Sequence, residues 1–516
     1  MKSASSRTEN ATRNLKVALI CKIGLFGMAF ISRTLFIRIL GAEYTGISSL
    51  YSNILGLLNL AELGFGSVLT YELYKPLKDN DQETILCLVS LFKKIYSVII
   101  AVVLCCGLLL IPFLKYIINS DLNTRDLLIY YLLYLIDSVA SYFAAYRYLV
   151  IEADQKKYVI TLTDIGMKFA MYICQSIYLV VTRDFLGYLI IQVIFTFLDN
   201  FALNGIAKKM YPFLKTIPRS IPENSINKQR IYSNARAMFV TKISNVVLNQ
   251  TDSIIISVLL GTIYVGLYSN YYMLITYINS IYSMICMSFE ASIGNLNADG
   301  NKEKSFLLYK RANFIMFCFN LFCTVGFICV VQDFIVLWIG KKYLQNMTLV
   351  LALIFTFYVQ NAMQVTSIYR QTMGMFEATK RYYPVMAGMN IILSLILGNW
   401  MGITGIALAT GISRLCTAFW YEGKIVFHKM DHGFREYLLQ QAGDGMIVII
   451  TMSCSYFLCS MVPFGGALGI IVKGLISLFC AAGILFAVFH RTEEWSWTIG
   501  YVQNGLKKIH LGKKDI

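Results

Sequence analysis

The sequence predicts an all-α integral membrane protein with about fourteen transmembrane helices, and three observations lead to this fold class. Hydrophobic residues make up 57% of the 516 positions and charged residues only 14%, whereas soluble proteins carry about 25% charged residues. Long runs without any charge follow one another along the chain, and a stretch near the N-terminus recurs in the second half. The net charge of +16 would suit a nucleic-acid-binding protein, but the mean hydropathy of +0.61 excludes that class.

The charge-free runs set the number of spans. Residues 253–289 hold 37 positions without Asp, Glu, Lys or Arg, and residues 382–413 hold 32. A helix needs about 20 apolar residues to cross the hydrocarbon, so these runs are spans or pairs of spans. Counted together with the charge-interrupted stretches, the predicted helices lie at 15–40, 44–73, 92–114, 126–149, 158–181, 185–207, 234–260, 263–295, 311–336, 347–369, 383–399, 402–424, 445–462 and 467–489.

Lysine and arginine residues indicate the orientation of these helices. With the N-terminus in the cytoplasm, the cytoplasmic segments carry 32 of the 45 basic residues and the external loops carry 5. Cytoplasmic flanks of membrane helices are enriched in Lys and Arg. The pattern therefore predicts a multi-pass protein with both termini in the cytoplasm. Lys22 interrupts the first apolar run, so we expect this helix to be retained and not cleaved as a signal peptide.

An internal repeat predicts two lobes. The motif Leu40-Gly41-x-x-Tyr44-x-Gly46 recurs 220 residues later as Leu260-Gly261-x-x-Tyr264-x-Gly266, and Lys22 falls on Lys242. Six helices precede the polar linker, so both copies have the same orientation, and transporters place substrates at such repeat interfaces near the midplane. The predicted parts are an N-lobe at 1–207, a cytoplasmic linker at 208–230, a C-lobe at 231–430, and two extra helices with a basic tail at 431–516.

Basic residues inside the predicted helices are the first candidates for a binding site. Lys22 and Arg33 are 11 residues apart, about three turns, and therefore share one face of the first helix. A polar stripe along the seventh helix comprises Lys242, Asn245, Asn249 and Asp252. Charges within the hydrocarbon usually face a cavity or a partner, so we expect a cationic, hydrated cavity between the lobes. The alternative is that the lysines snorkel to the cytoplasmic edge.

Three further basic residues have individual interpretations. Arg414 lies in the middle of the twelfth predicted helix and either lines the cavity or binds a partner on another helix. Asp164 and Lys168, at positions i and i+4, are expected to neutralise each other. Lys473 lies in an extra helix and is expected to have a structural or snorkelling role.

Acidic residues are candidates for ion coupling or gating. Glu62, Asp137 and Asp199 lie in three helices of the first lobe, where a cluster would hold Na⁺ or exchange a proton. The alternative is that they pair with cations inside the lobe. Asp252 is a candidate partner of Arg33, because its repeat equivalent Ser32 is adjacent to that arginine, and such a pair would act as an outer gate.

Several stretches resemble a known family. The sequence ISRTLFIRILGAEYTGISSLYSNILGLLNLAELGFG at 31–66, followed by YELYKPLKDND at 71–81, is similar to the opening of Wzx-type polysaccharide flippases. TDSIIISVLLGTIYVGLYSNYYML at 251–274 is similar to their seventh and eighth helices, and GNWMGITGIALATGISR at 398–414 to their eleventh-to-twelfth turn. The resemblance covers nearly all of residues 10–430, and residues 431–516 match only in hydropathy.

The resemblance implies the fold and function of the multidrug/oligosaccharidyl-lipid/polysaccharide exporter superfamily. Its members have two six-helix lobes in a V, here with two extra helices, and the flippases move undecaprenyl-pyrophosphate-linked oligosaccharides to the outer leaflet of the bacterial cytoplasmic membrane. Lys22, Arg33 and Lys242 would then meet the pyrophosphate, which Lys and Arg suit well. Glycosyltransferases and a polymerase of the same pathway are the implied partners. Resident cofactors and metals are not expected, and coupling to Na⁺, H⁺ or the membrane potential stays open.

Other functions stay open beside the flippase. A cation-coupled multidrug exporter of the same fold would have an acidic or apolar lumen, whereas the first and seventh helices here carry cations. A lipid II flippase for peptidoglycan is a further transporter. A membrane-embedded polymerase or glycosyltransferase needs catalytic groups on substantial external loops, and the external connections are mostly short, so we do not expect an enzyme.

Overall fold

The computed structural model describes residues 4–59, 65–216, 228–298, 300–500 and 503. Within these ranges, the side chains at 4–23, 65, 67, 68, 228–242, 291, 298 and 376 lie outside the description. Every regular element of the described chain is helical. The chain divides into two compact units, Met1–Gly266 and Leu267–Ile516. The lobe and linker boundaries expected from the sequence stay predictions.

The first unit contains eight helices and the first turn of a ninth. In chain order they are α1 (Ala4–Leu58), α2 (Phe65–Asp79), α3 (Gln82–Ile117), α4 (Thr124–Ala140), α5 (Ala145–Ala153), α6 (Lys157–Thr182), α7 (Phe185–Met210), α8 (Lys228–Leu260) and the start of α9 (Thr262–Ala298). Helix α1 packs against α6, α8 and α4, and α7 packs against α6 and α4. Helix α1 is therefore in contact with most of the unit.

The second unit contains the rest of α9 and eight further helices. They are α10 (Lys302–Trp338), α11 (Met347–Ala362), α12 (Gln364–Thr372), α13 (Phe376–Met401), α14 (Ile403–Arg414), α15 (Trp420–Lys429), α16 (Phe434–Ser460) and α17 (Gly466–Phe489). A π-helical segment, Leu415–Phe419, joins α14 to α15. Helix α10 packs against α11, α16 and α17, so the two extra helices expected from the sequence belong to the core of this unit.

The predicted all-α membrane fold is confirmed. In the described chain, twelve helices are long and apolar enough to span a membrane, and the bent pair α4–α5 makes thirteen. The first of these, Gly24–Leu58, contains non-helical backbone at Gly41, where φ is 89° and ψ is −171°. This break falls between the first two predicted spans, 15–40 and 44–73, and the fourteen predicted helices are roughly consistent with the twelve or thirteen candidate spans of the described chain.

The two copies of the glycine motif adopt the same backbone conformation. Gly41 has a φ of 89° and its repeat equivalent Gly261 a φ of 106°. Such positive values favour glycine, because a Cβ atom strains this region of backbone space. In both copies the glycine separates two helical segments, and the four residues after it lead to a second glycine, Gly46 or Gly266.

Candidate functional site

The second glycines of the two motifs touch each other. A Cβ atom on Gly46 would lie 1.8 Å from the carbonyl oxygen of Thr262, and one on Gly266 would lie 2.0 Å from the carbonyl oxygen of Ala42. Ala42 and Thr262 are themselves repeat equivalents, so the contact is reciprocal. We call it the glycine contact. It brings the backbones of α1 and α9 together more closely than any residue with a side chain would allow.

Side chains extend this contact between α1 and α8. The Asn53 amide donates a hydrogen bond to Ser253 Oγ at 2.6 Å. One turn further along α1, Gly56 leaves room for the side chain of Gln250, whose nearest atom would be 3.1 Å from a Cβ at that glycine. The second half of α1 therefore lies along the C-terminal half of α8. By the repeat, α8 is equivalent to the first half of α1.

The segment between α3 and α4 closes over the same end of the helices. Ser257 Oγ donates to the Ile117 carbonyl at 2.6 Å, and the Thr262 N–H and hydroxyl donate to the Asn119 carbonyl at 2.9 and 3.0 Å. On the other side, Glu43 accepts hydrogen bonds from Ser120 Oγ at 2.5 Å and from the backbone N–H of Asp121 at 3.1 Å. In the predicted orientation this hydrogen-bonded cap is on the external side.

Arg33 lies on α1 among tyrosine side chains. It is half-buried, and its neighbour Ser32 makes a hydrogen bond with Tyr188 of α7. One turn along, the ring of Phe36 packs edge-on against Tyr188, with the ring centroids 5.1 Å apart. Arg33 is within electrostatic range of the hydroxyl groups of Tyr134 and Tyr188. One tyrosine hydroxyl of α4 and one of α7 therefore lie near this arginine.

The structure describes the other predicted cationic residues in less detail than Arg33. The backbones of Lys22 and Lys242 are helical, in α1 and α8, but both side chains lie outside the described residues. Arg414 is half-buried and is the last residue of α14, directly before the π-helical segment. Segments of π-helix often mark functional sites. A common binding cavity for these residues stays a prediction.

The predicted polar stripe of α8 is only partly buried. Asp252 is buried, Asn245 is half-buried, and Asn249 is exposed and donates a hydrogen bond to the Asn245 carbonyl at 2.7 Å. The expected pair between Arg33 and Asp252 stays a prediction.

The predicted acids of the first lobe have different surroundings. Asp137 of α4 accepts hydrogen bonds from Gln192 Nε2 at 2.7 Å and Thr196 Oγ1 at 2.5 Å, both on α7. Oδ1 of Asp199 is buried and has no hydrogen-bond partner among the described residues. Glu62 lies outside the described residues. Whether these acids couple ions stays a prediction.

The expected pair of Asp164 and Lys168 is formed, and Lys473 has a partner that the sequence did not identify. Lys168 Nζ is 2.9 Å from Asp164 Oδ1, as the i, i+4 spacing predicts. Lys473 of α17 is 2.5 Å from Asp333 of α10, and both side chains are partly buried. Lys473 therefore attaches an extra helix to the second unit, in agreement with a structural role.

Sequence reasoning missed a buried ion pair in the second unit. Arg370 of α12 and Glu422 of α15 are 4% and 1% exposed, and Nε of Arg370 is 3.1 Å from Oε1 of Glu422. Glu422 also accepts hydrogen bonds from Ser367 Oγ, at 2.5 Å, and from the Tyr382 hydroxyl. The predicted tenth helix ends at residue 369, which places Arg370 in a cytoplasmic flank. Glu422, two residues before the end of the predicted twelfth helix, was the available signal.

Sequence reasoning also missed a polar cavity in the second unit. It has a volume of about 10 Å³, enough for one water-sized species, and is lined by polar side chains from α9, α10, α11 and α16, together with three apolar side chains. We call it the α16 cavity, because its single acidic residue, Asp444, comes from that helix. The charge-free run used to place the thirteenth span begins at residue 445, so Asp444 was left outside it.

Comparison with solved structures shows the fold. A lipid II flippase MurJ in an inward closed conformation superposes with a TM-score of 0.63 at 15% identity, covering 91% of this chain and 98% of that one. An inward-facing multidrug resistance MATE family transporter of the MOP superfamily superposes with a TM-score of 0.62 at 12% identity, covering 79% and 95%. A MATE transporter of Vibrio cholerae gives 0.55 at 12% identity, covering 83% and 97%.

Comparison of sequences shows the family. No curated protein matches the sequence. The family model described as polysaccharide biosynthesis protein matches residues 11–289, which is more than half of the chain. The matched range includes α1, α8 and both copies of the glycine motif. This chain, a multi-pass membrane protein, therefore belongs to the polysaccharide biosynthesis protein family.

Proposed function

We propose that the protein is a flippase of Wzx type, which moves undecaprenyl-pyrophosphate-linked oligosaccharide units across the bacterial cytoplasmic membrane by alternating access. One observation carries the proposal: the glycine contact joins two helical segments that the repeat makes equivalent, and the helices leading to it carry Lys22, Arg33 and Lys242. The units would supply capsule, O-antigen or exopolysaccharide synthesis. Membership of a polysaccharide biosynthesis family supports a substrate of this class.

The positions of the cations along α1 and α8 fit the handling of a pyrophosphate. Lys22 and Arg33 are separated by 11 residues of helix, which is about 16 Å along the axis. The lysines lie toward the cytoplasmic end in the predicted topology, and Arg33 lies deeper. A pyrophosphate would meet Lys22 and Lys242 first and Arg33 afterwards. Lys and Arg both bind phosphate groups, Lys as a point charge and Arg through its planar fork of donors.

The glycine contact supplies the closed end that alternating access requires. Release on the external side needs α1 and α9 to separate at Gly46 and Gly266, together with the hydrogen bonds of Ser257 and Thr262 to the segment between α3 and α4. These are backbone and hydroxyl interactions without an ion pair. The contact can therefore open without transferring a charge into the hydrocarbon, which would be costly.

Vesicles that contain the purified protein and a fluorescent lipid-pyrophosphate oligosaccharide test the proposal. We expect Lys22→Ala combined with Lys242→Ala to lower the translocation rate by about tenfold or more, because two charges that meet a phosphate are removed. Lys302→Ala combined with Lys380→Ala is the matched control, since both lysines belong to exposed ion pairs with Asp431 and Glu377. Equal rates for the two double variants would contradict the cationic site.

The substrate panel separates the flippase from its alternatives. The same vesicles are loaded with lipid II, with a lipid-linked oligosaccharide, or with ethidium under an imposed Na⁺ or H⁺ gradient. Preference for the oligosaccharide supports the proposal, preference for lipid II makes the protein a peptidoglycan flippase, and ethidium export alone makes it a drug exporter. Rates measured with Na⁺, with H⁺ and with a membrane potential alone identify the driving force.

A further inference from the structure

The α16 cavity collects polar side chains from three helix faces. Asn313 and Asn320 are seven residues apart on α10, Tyr358 and Asn361 are three apart on α11, and Gln441 and Asp444 are three apart on α16. Each pair lies on one face of its helix, because residues three, four or seven apart are neighbours on a helix surface. The three faces converge on one cavity within the second unit, with Tyr282 of α9 as a further lining residue.

Several of these polar groups have unused hydrogen-bonding capacity. Asn313 and Gln441 are only 5% and 7% exposed, and their side chains make no hydrogen bond to another residue of the described chain. The carboxylate of Asp444, which is half-buried, likewise makes no hydrogen bond to another residue of the described chain. Buried polar groups are almost always satisfied, so groups that remain open toward a shared cavity indicate a bound species.

The remaining lining residues are held in place by the protein. The Asn320 amide donates to the Tyr358 carbonyl at 3.3 Å, and the Asn361 amide donates to Asn279 Oδ1 at 2.9 Å. The Tyr282 hydroxyl donates to the Asn361 carbonyl at 2.8 Å. These hydrogen bonds fix the wall of the cavity. The side chains of Asn313, Gln441 and Asp444 remain available to bind an occupant.

The charge of the cavity selects the kind of occupant. Asp444 is its single acidic residue, and none of the described residues that line it is basic. A half-buried carboxylate on a membrane-spanning helix favours a positive partner or a proton. A proton would neutralise Asp444 and give it one O–H donor, which can serve only one of the two amide oxygens of Asn313 and Gln441. A monovalent metal ion neutralises one carboxylate, and hard cations bind the oxygens of carboxylates, amides and hydroxyl groups.

We propose that the α16 cavity binds one Na⁺ ion through the carboxylate of Asp444 and the side-chain oxygens of Asn313 and Gln441. This site is distinct from the ion-coupling site that the sequence predicts among the acidic residues of the first lobe. Asp137 already has two hydrogen-bond donors, whereas Asp444 has none among the described residues. Binding of Na⁺ does not depend on the proposed function, but its use to drive transport does.

Direct binding of ²²Na⁺ to the purified full-length protein in detergent, with choline as the replacement cation, tests the site. We expect saturable binding to the native protein, and weakening by about thirtyfold or more in Asp444→Asn, because the charged partner is lost at unchanged volume. Asp333→Asn is the matched control: it removes a partly buried carboxylate of the same unit whose charge is already paired with Lys473, and it should leave Na⁺ binding unchanged. Flipping of lipid-linked oligosaccharide is measured separately, so failure of one proposal leaves the other intact.

Two results would overturn the Na⁺ site. One is the absence of saturable ²²Na⁺ binding to the native protein, and the other is undiminished binding to Asp444→Asn. If Asp444→Asn fails to fold, Asn313→Leu and Gln441→Leu replace it, since each removes one amide oxygen and keeps the carboxylate. Each should then weaken binding, and affinity equal to that of the native protein in both variants would exclude the proposed ligands.

Discussion

Gly46→Ala is expected to reduce translocation by about tenfold or more, although it adds only one methyl group. The new Cβ atom would lie 1.8 Å from the Thr262 carbonyl oxygen, far inside ordinary van der Waals contact. A backbone oxygen cannot rotate away as a flexible side chain can, so α1 and α9 must separate at this point. The variant should therefore fold but be unable to adopt the closed conformation, and the rate of lipid-linked oligosaccharide flipping in vesicles measures the loss.

Because the contact is reciprocal, the equivalent substitution on the other helix tests the same prediction, and a glycine elsewhere provides the control. Gly266→Ala should have the same effect, because its Cβ atom would lie 2.0 Å from the Ala42 carbonyl oxygen. Gly388→Ala adds the same methyl group to α13, where no atom lies within 4 Å, and should leave the rate unchanged. Arg38 and Val258 are exposed and are repeat equivalents. Spin labels attached at these two positions should be farther apart in Gly46→Ala and in Gly266→Ala than in the native protein. A native distance together with native flipping in Gly46→Ala would contradict the role of the contact.

Arg370→Leu is expected to destabilise the second unit by about 3–5 kcal/mol. Glu422 would remain buried with only the hydroxyl groups of Ser367 and Tyr382 as donors. The loss of one member of a buried ion pair leaves an uncompensated charge, and this costs more than the pair itself contributes. The apparent melting temperature of the detergent-purified protein should fall markedly, and the yield of folded protein should fall with it.

A second variant separates the charge effect from the loss of packing. Arg370→Leu combined with Glu422→Gln should recover much of the lost stability, because no net charge then remains buried. Lys302→Met is the control for an ordinary ion pair: its partner Asp431 is exposed, so we expect little change in stability. A loss of stability in Arg370→Leu no larger than in Lys302→Met would show that the buried pair is not important for folding.

The protonation of Asp431 gives a smaller, pH-dependent contribution at the surface. The hydrogen bond and charge of Lys302 lower the pKa of Asp431 below its usual value. A carboxyl group whose pKa is lower in the folded protein stabilises it above the unfolded pKa and loses that contribution as the pH falls through the folded value. Acidification below about pH 4 should therefore remove the difference in melting temperature between the native protein and Lys302→Met.

The fold was predictable from the sequence because its main determinants are local. Charge-free runs mark spans, and the positive φ values of Gly41 and Gly261 lie at the breaks that the repeated motif indicates. The pairing of Asp164 with Lys168 follows from i, i+4 spacing alone. Each of these features depends on residues close together in the chain, so periodicity was sufficient to find them.

The missed features depend on helices that extend beyond the charge-free runs. Helix α16 begins at Phe434, eleven residues before the predicted start, and this extension carries Asp444 into the helical bundle. Arg370 and Glu422 are 52 residues apart and meet only because α12 and α15 pack together. A charge at the end of a hydrophobic run predicts the end of the membrane span, whereas a buried partner or a cavity allows such a residue inside the fold.

The glycine contact also bears on the permeability of the membrane. A carrier for a large sugar must open widely on one side without providing a path for protons or Na⁺ on the other. Where Gly46 meets Gly266, backbone atoms touch with no side chain between them, so no continuous file of water molecules fits there. We therefore expect cells that produce Gly46→Ala to be unable to maintain their ion gradients fully, a cost to energy conservation that is independent of polysaccharide synthesis.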